Sequence, residues 1–360
     1  MEQESITESG KQVVFKPKFI ERYSKLTNWE EFRQCSLSFL NRSIRVNTLK
    51  MAITELKKRL EKDWDLKQIP WCKEGFWIEH AKKERRDIGN LIEHSLGYFY
   101  TQEAASMIPP IVLEPKPHEI VLDIAASPGS KTTQIAQYME NKGILIANDY
   151  TIERMKPLSI NLQRCGVTNA IITLMEGQWF KKSGIEFDKV LVDAPCSGTG
   201  TIRKSLKTIS IWNPDMIRRL SITQRQLIET GFNLLKGEGS LVYSTCSLEP
   251  EENEEVGNYL INKHEDAKIE DIKLFLPDNS DKAVDIHLKF YGTEQNSPRI
   301  TLSEGNRNSL GLCIFLAMAK RDETDRPLFL DDVIVSLDRG FRGMIAELLI
   351  KEFSDKQVFI

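Results

Sequence analysis

Val190-Leu191-Val192-Asp193-Ala194-Pro195-Cys196-Ser197-Gly198-Thr199-Gly200 is the stretch on which the reading of this chain turns. Three apolar residues read as a short buried strand. Asp193 stands at its carboxyl end, and a small-residue turn follows whose backbone N–H groups are expected to be exposed. In an open α/β sheet the carboxyl ends of the strands are where ligands bind. Leu241-Val242-Tyr243-Ser244-Thr245-Cys246-Ser247 repeats the layout. Two cysteines just beyond two apolar strands are expected to face one crevice.

Outward from these strands, apolar runs alternate with helical spacing. Strands are expected at Glu119–Ile124, Gly143–Asn148, Ala170–Leu174, Phe187–Val192, Ser240–Ser244 and Leu312–Ala319. Helices are expected at Gln102–Leu113, Lys131–Asn141, Thr151–Cys165 and Pro214–Leu235, with Pro250 opening another before a run of acids suited to a helix N-terminus. The alternation predicts an α/β fold, a doubly wound, mostly parallel Rossmann-like sheet, over residues 99–320. Ahead of it, Ser43–Leu49 reads as strand, Ile53–Leu60 as helix, and the stretches around Gln68–Trp71 and Gly75–Glu79 as strands, giving a small α+β unit at 41–98. Residues 1–40 read as a helical and flexible segment, the first twelve disordered. Residues 268–309 read as polar and irregular, and 321–360 as an extension of unknown role with a helix at Gly343–Phe353.

The chain has 360 residues, 41% hydrophobic and 28% charged, the composition of a soluble globular protein. No apolar run is long enough to span a membrane, and the polar first twenty residues lack the centre of a signal peptide, so a cytoplasmic monomer is expected. Cys35, Cys72, Cys165, Cys196, Cys246 and Cys313 include no C-x-x-C pair and no Cys/His cluster, so no metal is expected. The net charge of −3 hides an asymmetry. Residues 1–100 carry 19 Lys and Arg against 15 Asp and Glu, residues 101–250 carry 16 against 15, and residues 251–360 carry 14 against 22. The acidity sits in the last third, leaving the first two open to a polyanion.

Asp123-Ile124-Ala125-Ala126-Ser127-Pro128-Gly129-Ser130-Lys131-Thr132 joins the first strand of the sheet to its helix. Small residues let a backbone approach a ligand, and a helix N-terminus favours a negative group. A phosphate-binding G-x-x-x-x-G-K-[ST] loop would need glycine at 125 and 130, where Ala125 and Ser130 stand. The dinucleotide G-x-G-x-x-G pattern is also absent. S-adenosylmethionine fits better, with a carboxylate and an ammonium for the loop and a ribose diol for an acid. Asp149 ends the second strand, where such sheets place that acid. Glu176 follows the third strand, within reach of the adenine amine. The candidate cofactor set is Ala125, Ala126, Ser127, Pro128, Gly129, Ser130, Lys131, Asp149, Arg154, Glu176 and Asp193. The plain alternatives are an Asx turn at Asp149 and an ordinary loop acid at Glu176.

Three ordered stretches resemble the Sun/Fmu-type RNA (cytosine-5) methyltransferases: Ala125 to Thr132; Asp193 to Gly200; and Ser244-Thr245-Cys246-Ser247 with Pro250-Glu251-Glu252-Asn253-Glu254. Gly97 to Met107 looks like the segment that enters that family's catalytic domain, and Ile44-Arg45-Val46-Asn47-Thr48-Leu49 like its amino-terminal extension. The resemblance covers residues 42–319. It departs at Ala125, Ser127 and Ser130, where the family commonly has Cys, Ala and Gly, and at Glu176, where Asp is usual.

The resemblance implies the chemistry. Cytosine carbon 5 is a poor nucleophile until a thiolate adds to carbon 6. Cys246 would be that thiolate, Asp193 would hold or protonate ring nitrogen 3, and Cys196 would assist release of Cys246. Lys131 and the N–H groups after Cys196 would lower the thiol pKa. The base must be flipped into the pocket, so RNA is the expected partner, tRNA ahead of ribosomal RNA. Arg203 and Lys204 are the candidate RNA contacts, with Lys207, Arg218, Arg219 and the cluster Lys82-Lys83 and Arg85-Arg86 as further cations. Trp212 reads either as a stacking platform or as core. Two structural thiols, a non-catalytic RNA-binding descendant and a DNA methyltransferase, which would use the Pro-Cys thiol alone, are the competing readings.

Overall fold

The structure is a computed structural model that describes residues 3–6, 12–274, 284–291, 328–329 and 358–359. Strand β1 (Gln3–Ile6) pairs antiparallel with β2 (Gln12–Phe15), followed by helices α1 (Pro17–Leu26) and α2 (Trp29–Leu37). The expectation of disorder through residue 12 is corrected at 3–6 and at Gln12. The reason is visible in β2, where Val13 and Phe15 alternate onto a buried face. Pro17 sits in the first turn of α1, and the Asn28 side chain caps α2 by accepting from the N–H groups of Glu30 and Glu31.

β3 (Ser43–Val46), α3 (Ile53–Leu60), β4 (Trp64–Gln68), β5 (Gly75–His80), α4 (Ile92–Ser95) and β6 (Phe99–Thr101) form a four-stranded antiparallel sheet of order β4-β5-β3-β6 with its own core around Ile44, Leu56, Phe76 and Phe99. The strand expected around 68–71 lies earlier, because Pro70 has no N–H to give a ladder. The helix expected from Gln102 is only α5 (Ile108–Leu113), since Pro109 and Pro110 fit nowhere but its first turn.

The large sheet takes β7 (Ile120–Asp123), α6 (Ser130–Tyr138), β8 (Ile144–Asp149), α7 (Ile152–Cys165), β9 (Ala170–Leu174), β10 (Phe187–Asp193), α8 (Lys207–Ile211), α9 (Pro214–Asn233), β11 (Leu235–Ser244), α10 (Glu254–Lys263), β12 (Lys268–Leu274) and β13 (Val284–Tyr291). Its order is β12-β13-β11-β10-β7-β8-β9, parallel from β11 to β9, with β13 antiparallel to both neighbours. Alternate residues of the parallel strands serve the two faces. Leu122, Val190, Val192 and Leu241 pack with Leu227, Ile228 and Leu260 of α9 and α10. Val121, Leu145, Leu191 and Val242 pack with Val112, Ile135 and Ala136 of α5 and α6. Burying each such aliphatic side chain contributes about 1.5–3 kcal/mol. The chain runs outward through β7, β8 and β9, then returns to lay β10 and β11 on the other side of β7. That reversal opens a crevice at the strands' carboxyl ends.

β12 and β13 correct the expectation of irregular chain from 268. Their signal is alternation in Val284-Asp285-Ile286-His287-Leu288-Lys289-Phe290. Pro250 opens a short 3₁₀ turn, Pro250–Glu252, and the helix proper starts at Glu254. β14 (Leu328–Phe329) and β15 (Val358–Phe359) pair in parallel. The strand expected at 312–319 and the helix at 343–353 lie outside the described residues. Among the described residues no helix is long and apolar enough to cross a membrane.

Candidate active site

β10 and β11 run in register, Asp193 opposite Ser244, so the residues after each strand emerge together. Cys196 Sγ lies 3.1 Å from Cys246 Sγ, and the Cys246 N–H donates to Cys196 Sγ at 3.3 Å. Both are free thiols, Cys196 half-buried and Cys246 exposed. A disulfide would hold the sulfurs about 2.05 Å apart. The hydrogen bond from Cys196 lowers the Cys246 thiol to about 7, against burial and the Asp193 carboxylate and with help from Lys131 and Lys204. The same bond, with burial added, pushes the Cys196 thiol up. One sulfur is thus suited to be the anion and its neighbour to hold the proton.

Two wholly buried carboxylates hold the loops that carry these thiols. Glu252 accepts from the Ser197 N–H at 2.9 Å, from the Ser197 and Ser247 hydroxyls, and from Gln224 Nε2 at 2.9 Å. It ties the residue after one cysteine to the residue after the other. Glu249 accepts from Tyr23 Oη at 2.8 Å, Trp212 Nε1 at 2.8 Å and Arg22 Nε at 3.1 Å. The turn after Cys196 therefore does not expose all its N–H groups, as the sequence suggested: Ser197 donates to Glu252 and Gly200 to the Cys246 carbonyl at 2.9 Å. Of the two readings open for Trp212, the structure bears out the core one. It is 2% exposed, and Phe19 of α1 meets it edge-on at 5.0 Å. Phe19 and Tyr23, one helical turn apart, stack at 4.5 Å and bring α1 onto this wall. In the sequence Glu252 stood only within the Pro250–Glu254 stretch, with no role of its own, and neither Glu249 nor the α1 aromatics stood out.

Asp193 joins the thiols to the loop after β7. Its carboxylate accepts from Lys131 Nζ at 2.6 Å and Ser244 Oγ at 2.8 Å. Across that loop, Thr132 Oγ1 of α6 donates to Asp123 Oδ2 at the end of β7 at 2.7 Å, while buried Asp123 Oδ1 has no partner, and burial pushes the carboxyl up to about 7. Gly129 has φ 98°, open to glycine and strained for other residues, and a Cβ there would stand 3.1 Å from Leu158. Asp149 is 1% exposed and accepts from the Ser127 N–H at 3.0 Å, the Tyr150 N–H at 2.9 Å and Arg154 Nε at 3.0 Å. Arg154 also donates to the Ser127 carbonyl at 2.8 Å, so it fastens loop to helix. Asn148 Nδ2, unremarked in the sequence, bridges the carbonyls of Ile124 and Met175 at 3.0 and 2.9 Å and stitches three strand ends together. Glu176 is exposed and accepts from Gln178. A small-residue cradle, an acid at the end of β8 and an ammonium–carboxylate pair at the mouth of β10 suit S-adenosylmethionine in shape and charge. Asp149 would face the ribose, and the turn from Ser127 to Lys131 the amino-acid end.

Of the expected RNA contacts, Arg203 donates to the Phe39 carbonyl and Lys204 pairs with Glu103. Lys207, Arg218 and Arg219 are exposed. The Arg86 guanidinium lies 4.3 Å over the Phe39 ring, so Arg86 and Arg203 meet at the same residue, one over its ring and one on its carbonyl.

Residues 110–301 match the family described as 16S rRNA methyltransferase RsmB/F, and residues 15–104 match the N-terminal domain of 16S rRNA methyltransferase RsmF. The tRNA (cytosine(49)-C(5))-methyltransferase of Pyrococcus abyssi is 50% identical over 258 residues, covering 71% of this chain and 82% of that one. Ribosomal RNA small subunit methyltransferase F of Aliivibrio fischeri is 44% identical over 245 residues, 66% of this chain and 51% of its own. The chain spans about half the length of such rRNA relatives. Among solved structures, NSun6 from Pyrococcus horikoshii with SFG superposes with a TM-score of 0.67 at 25% identity, covering 78% of this chain and 99% of that one.

Proposed function

The chain belongs to the Sun/Fmu family of RNA (cytosine-5) methyltransferases, and from that premise we infer that it methylates carbon 5 of a cytosine in tRNA through a covalent bond to Cys246. The 3.1 Å approach of the two thiols carries this reading. S-adenosylmethionine supplies an electrophilic methyl group on a sulfonium. The chain's residues make the cytosine able to take it.

Cys246, with a thiol near 7, is substantially anionic at neutral pH and exposed to an incoming base. Its sulfur bonds carbon 6, and the electrons of the 5,6 double bond become available at carbon 5. As the thiolate adds, Asp193, which accepts from Lys131 Nζ–H and Ser244 Oγ–H, relays a proton from Lys131 to ring nitrogen 3 and returns it when the carbon–sulfur bond breaks, so no net negative charge stays on the ring. After carbon 5 accepts the methyl, its proton leaves, the 5,6 double bond re-forms and the carbon–sulfur bond breaks. Cys196 assists that last step. The largest cause of its raised pKa is the hydrogen bond to Cys246. Once Cys246 is tied up as a thioether that cause weakens, so Cys196 can release its own proton to solvent and, as the thiolate, take the proton that leaves carbon 5.

Cys246→Ala is expected to abolish both methylation and any covalent RNA adduct. Cys196→Ala is expected to trap the adduct, visible as a denaturant-resistant band. An adduct formed by Cys246→Ala and lost in Cys196→Ala would reverse the roles. tRNA is favoured because the P. abyssi tRNA enzyme is matched over 82% of its length, the rRNA relative over 51%. Both family matches carry 16S rRNA descriptions, which makes rRNA the second reading. Bisulfite sequencing of total RNA with and without the protein decides between them.

A further inference from the structure

Among the described residues the largest fully buried side chain is a charged one, Arg45 of β3. Its Nη1 donates to Gln102 Oε1, to the Ser130 carbonyl at 2.8 Å and to Gln134 Oε1 at 3.3 Å, and its Nη2 to Thr133 Oγ1 at 2.9 Å. Its Nε has no partner. Every acceptor is neutral, the Tyr100 ring centroid lies 5.7 Å from the guanidinium carbon, and among the described residues no carboxylate pairs with it. Burying a charge without a counter-charge costs several kcal/mol even when it is hydrogen-bonded. The position makes this worse. Ser130 and Thr133 form the first turn of α6, and a helix N-terminus already carries partial positive charge. A bracing residue between the two sheets would need no charge, and a hydrogen-bonding amide or an apolar side chain would cost less.

What this place adds is a field. Two positive sources, the guanidinium and the N-terminus of α6, act at the turn that leaves the Ala125–Gly129 loop, the guanidinium through its hydrogen bonds to the Ser130 carbonyl and Thr133 Oγ1. A dry surround screens them little. An anionic group bound on the loop would offset the cost of Arg45, and the amino-acid end of S-adenosylmethionine carries a carboxylate. We propose that Arg45 is a positioning residue that draws and orients this carboxylate through the first turn of α6. The proposal rests on S-adenosylmethionine as the cofactor, and its test is arranged to fail separately from that reading.

Titration calorimetry on the full chain compares S-adenosylhomocysteine, which keeps the carboxylate, with 5′-methylthioadenosine, which lacks the whole amino-acid end. Arg45→Met is expected to weaken S-adenosylhomocysteine by roughly tenfold and methylthioadenosine by less than about twofold. Arg45→Lys, which keeps charge without the fork, and Thr133→Val, which removes one acceptor and keeps the charge, are expected to hold the ratio of the two affinities near the native value. Equal weakening of both ligands in Arg45→Met, or a ratio altered as much by Thr133→Val, would mean a brace and overturn the proposal. Should Arg45→Met not fold, the native protein carries the test with S-adenosyl-3-thiopropylamine, which lacks only the carboxylate. Binding within about twofold of S-adenosylhomocysteine overturns the proposal, and a roughly tenfold loss supports it. A native chain that binds none of these ligands removes the cofactor reading itself.

Discussion

Around Asp149 the ties are short in sequence: Ser127 lies 22 residues away, and Arg154 reaches back 27 to the Ser127 carbonyl. Around Cys246 they are long. Glu252 reaches 55 residues to Ser197, Tyr23 spans 226 to Glu249, and Arg22 spans 229 to Glu251. The cofactor half of the crevice is built by neighbouring strand–helix units that fold with the loop they serve. The thiol half is assembled from pieces that meet only when the whole chain has closed. A loop of small residues therefore announces itself in sequence, and a clamp from α1 does not.

The largest test of this contrast is Glu252→Ala. It strands the Ser197 N–H, two hydroxyls and an amide in a sealed site and is expected to cost about 3–5 kcal/mol in denaturant unfolding, with loss of RNA adduct. Glu252→Gln keeps an acceptor and is expected to recover part of both. Asp149→Asn tests the other half. Arg154 loses its counter-charge, and S-adenosylhomocysteine affinity is expected to fall roughly tenfold by calorimetry, with Cys246 alkylation unchanged. Should that alkylation slow as well, the halves are not separable. Tyr23→Phe removes one of three donors to Glu249 and is expected to cost about 1 kcal/mol, slowing adduct formation without touching S-adenosylhomocysteine binding.

The smallest effect is the most diagnostic. Iodoacetamide labelling of Cys246 is expected to rise with pH and reach half its maximum near pH 7. The sign follows from the thiolate being the reactive form, so labelling fades as pH falls through that value. In Cys196→Ala the main lowering contact is gone, and the midpoint is expected to move to higher pH. An unmoved midpoint would show that Lys131 and Lys204 set the acidity instead.

The same contrast explains what could be read in advance. Asp193, Cys196 and Cys246 were legible because each stands in a polar turn behind an apolar strand, and the parallel alternation fixed which ends would meet. Glu252 was not. In Pro250-Glu251-Glu252-Asn253-Glu254-Glu255 it looks like one more helix-start acid, yet the 3₁₀ turn at Pro250 swings it alone of these glutamates into the interior. Arg45 was read as part of a strand with no hint that its charge would be sealed. Trp212 offered two equal readings in sequence, and only the arrival of Phe19 decided between them.

That arrival bears on how the protein can be dissected. A clone trimmed to begin at the small sheet, a natural choice for anyone seeking a minimal enzyme, would uncover Trp212, Ile209 and Ile217 as an oily scar and leave Glu249 with a single donor. Such a fragment should clump and fail to grip RNA, while a purification tag placed before Gln12 leaves the aromatic wall intact.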